Sequence, residues 1–576
     1  MCGIVAELGG ERRLANLLFG VRHRGPDADG IALGAFGGVG AARLRVVGGP
    51  ASDQPLRSSC GRLALAFNGE VFNHEELGLS APGQSDVHGL PDRLVQMGPS
   101  YLGKLRGPFA LAAYDLWEDT LLLARDEEGI RPLYVCEGPT SVRVASEMAP
   151  LVRSEDALDE SAWDHLLAFQ FWPTDRTAYA SIRPILPGMW RRYRLRDGSI
   201  RREEGSFRCE SQQHGDIRGT FFDALRLQGA KGVPSAATLS GGLDSSGVVG
   251  GLAHVGAPVD FAAIGFFENA APSFDERPHA REVAKELDLR LHEVRITRDA
   301  YMEAWPRLLA ATGGPVGGPG GPAQWLVSEA IASLGARVVF SGQGGDELFG
   351  GYERYRLTQQ WDAREPIQAS RGYESLLDGL ESDPARHLLF RGHRLLPYLS
   401  EDRRATVLSA TRVLPGPQRP LTDRLVAFER RVILPGLLAI EDRTHSAFGM
   451  EGRVPLLDPL LAQAASRIPM ATKSPPESQR RLFRELMGQA LPRAAASRVD
   501  KMGFPVPLEA WFQGREVRHL LDRIRPEDLD RLHINRSILL ALERGLLPMR
   551  MAYFLTSLSL FLQSAPISLP TEAQAS

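Results

Sequence analysis

The chain has 576 residues, more than one ordinary core holds, and its 43% apolar and 24% charged residues are typical of a globular protein of about two to four domains. A net charge of −3, with Lys and Arg spread along the chain, points away from nucleic acid and from membrane surfaces. Its four cysteines, Cys2, Cys60, Cys136 and Cys209, form no CxxC pair and no metal-ligand spacing, so a reducing cytoplasm fits better than a disulfide scaffold.

The opening MCGIVAEL has no basic stretch followed by a long apolar one and does not read as a signal peptide. Short apolar runs at Leu63–Phe67, Phe109–Tyr114, Thr120–Ala124 and Val142–Ala145, separated by Gly, Pro and Asp turns, predict a β-rich first part. A Pro/Gly-marked turn covers Pro184–Tyr193, and the polar stretch Arg194–Gly215 reads as a linker. Beyond it strands are expected at Ala236–Leu239, Phe261–Phe266 and Arg337–Ser341, with a helix at His279–Leu287, an alternation that predicts a parallel α/β sheet. From about Pro366 onward the periodicity is helical. The apolar run Met551–Leu562 is shorter than the ~20 residues of a membrane span and reads as a buried helix. The last dozen residues, small, polar and Pro-interrupted, are expected to be disordered.

Cys2 follows the initiator Met directly, and removal of that Met would place its thiol beside a free α-amine of intrinsic pKa about 8. One residue then supplies nucleophile and base. The segments HRGPDADG (His23–Gly30), RLRVVGG (Arg43–Gly49), FNGEVFNHEEL (Phe67–Leu77), SDVH (Ser85–His88) and LLARDEEGIRPLYV (Leu122–Val135) follow in order. With the initial CGI they resemble the class II glutamine amidotransferase domain, an N-terminal-nucleophile hydrolase. The resemblance implies that Arg43 clamps the glutamine α-carboxylate and Asp86 pairs with its ammonium. It implies further that Asn68 and Gly69 donate to the tetrahedral oxyanion, with Glu70 beside them in the glutamine site. Taken singly, Arg43 also reads as a surface charge, Asn68–Gly69 as a hairpin turn and Asp86 as a helix cap.

LSGGLDSS (Leu239–Ser246) lies between a strand and a helix, where Gly241 and Gly242 allow close approach and Ser240, Ser245 and Ser246 offer hydroxyls. No Lys follows the glycines, so this is not a Walker A loop; it resembles the pyrophosphate loop of enzymes that split ATP into AMP and PPi. SGQGGDELFGGYERY (Ser341–Tyr355) adds Asp346, which with Asp244 forms a natural ligand pair for Mg²⁺; helix capping is their ordinary reading. KMGFPVPLEAWF (Lys501–Phe512) brings Lys501, either a fixed cation near the phosphates or a solvated surface group.

These motifs, with EDRTHSAFGMEGRVPLLD (Glu441–Asp458), resemble in order the synthetase domain of the asparagine synthetase family, and the likeness spans roughly residues 1 to 515. It implies an N-terminal-nucleophile hydrolase αββα sandwich over residues 1–205, then an ATP-pyrophosphatase-type parallel α/β domain with a helical C-terminal part over 206–563, and a tail from 564 to 576. It implies Ser341 and Gly342 at the nucleotide, Leu239 and Ile264 around the adenine, and a catalytic Lys501. Ammonia from glutamine would reach a carboxylate activated by Mg-ATP as an acyl-adenylate, most simply L-aspartate, through a dry passage that keeps it unprotonated. A cytoplasmic enzyme with small-molecule substrates follows, with a homodimer as its implied assembly.

Three features depart from the family pattern. Gln343 stands where some relatives carry a Glu that takes a proton during amide formation, and a carboxamide cannot act as a base. The segment GGPVGGPGGP (Gly313–Pro322) is Gly/Pro-rich near the expected acceptor site, and the stretch before HRGPD is short. The same chemistry on another carboxylate, in a cell-wall peptide, a surface sugar acid or a secondary metabolite, is therefore the alternative. Retained Cys2, Arg43 and Asp86 argue against lactam-forming and peptide-cyclising relatives. Retained Asp244, Asp346 and Lys501 argue against a degenerate binding protein, and the SGGLDSS loop excludes sugar-amidating and purine-pathway amidotransferases.

Overall fold

The structure is a computed structural model that describes residues 1–10, 13–210, 216–315, 317–369, 388, 391–411, 418–498 and 505–564. Its first part contains strands β1 (Gly3–Leu8), β2 (Ala28–Leu33), β3 (Gly37–Arg43), β4 (Leu56–Arg57), β5 (Leu63–Gly69), β6 (Phe109–Asp115), β7 (Thr120–Arg125), β8 (Tyr134–Glu137), β9 (Val142–Ala145), β10 (Ile182–Pro184), β11 (Met189–Arg196) and β12 (Ser199–Ser206). They form two six-stranded antiparallel sheets, ordered β10-β8-β9-β1-β3-β2 and β12-β11-β7-β6-β5-β4. The sheets face each other, and small buried side chains fill the space between them: Ala6, Ala41, Ala64, Ala66, Ala110 and Ala112. Such residues let two sheets approach closely at β1, β3, β5 and β6. Helix α1 (Leu14–Gly20) covers the outer face of the first sheet and α2 (Leu90–Met97) that of the second, which completes an αββα sandwich.

The four apolar runs expected as strands are β5, β6, β7 and β9. The expected linker is corrected. Residues 199–206 are β12, paired along its whole length with β11. The turn between them is Asp197–Gly198, both with positive φ (49° and 72°), the dipeptide that suits a tight hairpin. Its strand β12 is the edge of the sheet, so charged pairs such as Arg191 with Glu204 (3.0 Å) outnumber the few inward apolar residues such as Tyr193 and Leu195, and its polarity imitates a linker.

The second part is built on β13 (Ser235–Thr238), β14 (Phe261–Phe267), β15 (Leu291–Ile296), β16 (Val338–Phe340) and β17 (Glu451–Arg453). All neighbours are parallel, in the order β15-β14-β13-β16-β17. The chain moves outward from β13 to β14 and β15, then returns to the other side as β16. The gap between the ends of β13 and β16 is therefore a topological switch point, the place where open α/β sheets bind ligands. The helix expected at His279–Leu287 is Arg277–Glu286. The run Met551–Leu562 is buried within the helix Met549–Ser564, where Tyr553 stacks on Trp305 with ring centroids 4.4 Å apart. No helix among the described residues is long and apolar enough to cross a membrane. The expected disorder of the tail concerns residues that, apart from Ser564, lie outside the described ones.

Candidate active sites

Just before the first strand, Cys2 lines a small cavity of about 20 Å³, together with Met1, Arg43, Val47, Gln54, Gly69, Glu70, Ser85, Asp86 and Glu451. Every residue assigned to glutamine from the motifs except Asn68 thus lines one cavity. Asn68 lies just behind it in β5, fully buried, and neither atom of its side-chain amide has a hydrogen-bond partner among the described residues. An unpartnered buried amide costs stability and marks a donor held for a ligand. Gly69 has φ +134°, and a Cβ there would run into the Pro108 carbonyl, so only glycine fits.

Arg43 is buried but not idle. Its guanidinium donates to Asp53 Oδ1 (2.8 Å), Gly49 O (3.0 Å) and Val47 O (2.9 Å), a lattice that fixes its direction before any carboxylate arrives. Asp86 accepts from the Val71 N–H at 2.6 Å, and burial pushes its carboxyl up to about 7. Gln54 Nε2 lies 3.9 Å from Cys2 Sγ. Burial also raises the Cys2 thiol, with the nearby N-terminal ammonium opposing. Met1 is retained here, and its sulfur accepts from Arg131 Nη1 at 2.9 Å.

Leu239 and Ile264 are buried in one apolar cluster, with the Leu239 N–H donating to Ala263 O at 2.9 Å. Gly241 has φ +72° and lies against His279, while Gly242 caps the helix Leu243–His254. The hydroxyls of Ser240 and Ser245 are 3.2 Å apart, and the Ser246 hydroxyl is buried without a partner among the described residues. The loop after β16 packs directly on this one: a Cβ on Gly342 would lie 2.6 Å from Asp244 Cβ. Ser341 Oγ donates to Glu441 Oε1 at 2.5 Å, and the Gln343 N–H reaches Ser341 Oγ at 3.4 Å.

Arg480 joins the two candidate metal ligands. Its guanidinium bonds Asp244 and lies 2.6 Å from Asp346 Oδ1, with only 3% of its side chain exposed. Two carboxylates that converge on one cation are a suitable donor set for a hard divalent ion. No group of three or more His, Cys, Asp or Glu able to hold a metal occurs among the described residues, so phosphate oxygens would have to complete the set. Lys501 lies outside the described residues.

The motifs did not announce Gln54, Arg480, Glu451 or Arg453 as site residues. The last two belong to the second part yet reach the first: Arg453 Nη2 donates to Glu70 Oε1 at 2.6 Å and its Nε to Glu451 Oε1 at 3.0 Å. Both fall inside Glu441–Asp458, a segment singled out in the sequence without roles, because nothing in a linear motif shows which distant strand it will meet.

Two family models match the chain: the glutamine amidotransferase domain over residues 1–203 and asparagine synthase over residues 216–553. A putative glutamine-hydrolysing asparagine synthetase of Mycobacterium tuberculosis is 29% identical, covering 86% of this chain and 84% of that protein. Asparagine synthetase 1 of Bacillus subtilis is 26% identical over 90% of this chain and 88% of that protein. Amidase chry2 of Gibberella zeae is also 26% identical, over 58% of this chain and 54% of that protein.

Proposed function

We propose a function from one premise: the chain belongs to the asparagine synthase family, with a glutamine amidotransferase domain at its N-terminus. It is a glutamine-hydrolysing carbon–nitrogen ligase, and the reaction we assign converts L-aspartate, L-glutamine, ATP and water to L-asparagine, L-glutamate, AMP and PPi. The observation that carries the reading is the gathering of Cys2, Arg43, Gly69, Glu70 and Asp86 around one cavity, with the unpartnered Asn68 amide behind it.

In this reading the Cys2 thiolate attacks the side-chain amide of glutamine. Asn68 and the Gly69 N–H hold the oxyanion, while Arg43 and Asp86 hold the amino-acid end. In the second half Ser240, Gly241, Gly242, Ser245 and Ser246, with Ser341 and Gly342, receive the phosphates of ATP, and Leu239 and Ile264 flank the adenine. Asp244 and Asp346 would hold Mg²⁺, which supplies charge neutralisation for the departing PPi. Lys501 is assigned to the same charge by its motif. Ammonia then attacks the acyl-adenylate of the acceptor, and the amide and AMP leave. Gln343, whose backbone N–H reaches Ser341 Oγ, supplies no base. A homodimer is part of the reading; the exposed apolar residues Leu33 (50%) and Phe36 (57%) at the edge of the first sheet support it.

The test is PPi release by the purified enzyme with Mg-ATP and glutamine, with and without L-aspartate. Aspartate-dependent PPi in step with asparagine is expected. Glutaminase activity without aspartate-dependent PPi would overturn the acceptor and keep the amidotransferase. The second reading, the same chemistry on another carboxylate, is favoured by one observation: over 58% of its length the chain is 26% identical to a protein named an amidase, the same identity it has over 90% of its length to a named asparagine synthetase.

A further inference from the structure

We propose that Glu451, carried by the synthetase half, is the charge partner of the Cys2 α-amine and a positioning residue for glutamine hydrolysis. The inference rests on the reading of Cys2 as an N-terminal nucleophile. Glu451 stands on β17, is 3% exposed, and lines the same cavity as Cys2, Arg43, Gly69, Glu70 and Asp86. Its Oε2 lies 3.9 Å from the α-ammonium of Met1, one residue upstream of the nucleophile. Once Met1 is removed, the α-amine that Glu451 faces is that of Cys2 itself.

Both ends of the residue are fixed: Arg453 donates to its carboxylate Oε1 at 3.0 Å, and its backbone N–H donates to Arg337 O at 2.7 Å at the start of the pairing with β16. Arg453 also binds Glu70, so its one guanidinium serves both carboxylates. Burial opposes the charge on Glu451, but Arg453, the N-terminal ammonium and Arg131 hold its carboxyl well below the usual range. Burial raises Glu70 well above that range. Of the two carboxylates, Glu451 is held toward its charged form and Glu70 toward its protonated form.

The chemistry needs that charge. To make the thiolate, the S–H bond of Cys2 breaks and an N–H bond forms on the α-amine, giving ammonium beside thiolate. The sulfur then bonds to the amide carbon of glutamine, and the ammonium returns its proton to the amide nitrogen, which leaves as ammonia when the C–N bond breaks and the thioester forms. Burial works against every ammonium here, and it pushes that of Met1 down to about 6. Arg131 and Arg24 push in the same direction, while Glu451 and the Cys2 thiolate oppose them. Around Cys2 the remaining charged neighbour is Arg43, and the Leu44 N–H faces the sulfur. Glu451 is thus a fixed carboxylate acting on the amine, as the carboxylate of a catalytic triad acts on its base. It comes from the other half of the molecule, so glutamine is cut efficiently only where the synthetase strand is docked.

The test is glutamate release from glutamine alone by the full chain and by E451Q and E451D, from about pH 5 to 9, with Met1 removal verified by mass spectrometry. E451Q is expected to lower kcat by about 100-fold, with the KM for glutamine within about threefold. The acid limb of its profile should move to lower pH, because an amine without its anion is a weaker base. E451D should restore part of both. Wild-type kcat and limb in E451Q would overturn the proposal, as would a fall in kcat with the limb unmoved, the mark of a purely structural residue. If E451Q does not fold, E451D carries the same comparison, with a smaller shift in the same direction. A wild type that releases no glutamate would instead overturn the proposed function. The Cys2 amine is then titrated directly by NMR with ¹³Cα-labelled cysteine: a lower midpoint in E451Q supports the pairing and an equal one overturns it.

Discussion

Asn68 and Asp86 are two buried polar residues with opposite electrical demands. The Asn68 amide is fully buried and unpartnered among the described residues, a conformation that stabilises nothing until an oxyanion forms beside it. Asn68→Ala should lower kcat for glutamine by about 10²- to 10³-fold with little change in KM, and an unchanged kcat in a glutaminase assay would remove it from the oxyanion site. Asp86 is raised to about 7 by burial, so it is protonated below that pH and cannot pair with the glutamine ammonium there. Its folded pKa exceeds that of a free carboxyl, so raising the pH through about 7 ionises it and should strengthen glutamine binding; the KM should fall as pH rises and level off above 7. In Asp86→Asn this dependence should disappear, which a KM profile across pH checks. Asn68, Gly69 and Asp86 were legible in the sequence because they sit in short motifs whose order is informative. Gln54 was not, since it reaches Cys2 only through the folding of a loop that carries no motif of its own.

At the level of elements, two loops make the second site, and their meeting follows from strand order. The loop after β13 and the loop after β16 flank the switch point, and Gly342 brings its backbone against Asp244. A methyl group at Gly342 would press on the Asp244 Cβ and the Ser245 N–H, which cannot swing aside as a long side chain would. Gly342→Ala should therefore spread the loops at a cost of about 1–3 kcal/mol in nucleotide binding, roughly a 5- to 150-fold rise in the KM for ATP. Glutaminase activity should stay within about twofold, since the substitution touches no residue lining the first cavity. A calorimetric Kd for Mg-ATP equal to that of the wild type would show that the loops do not form one phosphate site. The alternation of strands and helices around β13 and β14 was readable because buried parallel strands are short apolar runs. The charged hairpin of β11 and β12 was not, because edge strands suppress the apolar signal; only Asp197–Gly198 betrayed it.

For the whole molecule, the decisive structure is the seam between the halves, where apolar contacts such as Phe169 on Phe428 run beside a row of buried ion pairs. Arg24, completely buried, donates to Cys2 O (3.3 Å), Glu147 (2.8 Å), Asp442 (2.9 Å) and Ser446 (3.0 Å), so one guanidinium touches the nucleophile's residue and the synthetase half at once. Arg131 donates across the same seam to Gly452 O at 2.9 Å, and Arg106 to Asp458 at 2.9 Å. Arg24 and Asp442 belong to motifs read separately along the chain, and no periodicity in either shows that they meet. Removing Arg24 from this cluster leaves the buried carboxylates of Glu147 and Asp442 short of one cation, with Arg443 still beside both. Arg24→Met should therefore cost about 3–5 kcal/mol of stability, measured by urea unfolding. Glu147 and Asp442 are both held below the usual carboxylate range despite burial, Glu147 by Arg443, His23 and Arg24, and Asp442 chiefly by Arg24 and Arg443. Their stabilisation is present above the unfolded carboxylate pKa and is lost as pH falls through the lower folded values, so the wild type should lose stability in acid more steeply than Arg24→Met. The functional consequence follows from the same contacts. If ammonia crosses at this seam, loosening it should let glutamate form faster than AMP, so the ratio of glutamate to AMP should rise above that of the wild type. An unchanged ratio in a variant that is measurably destabilised would place the crossing elsewhere and leave Arg24 with a structural role alone.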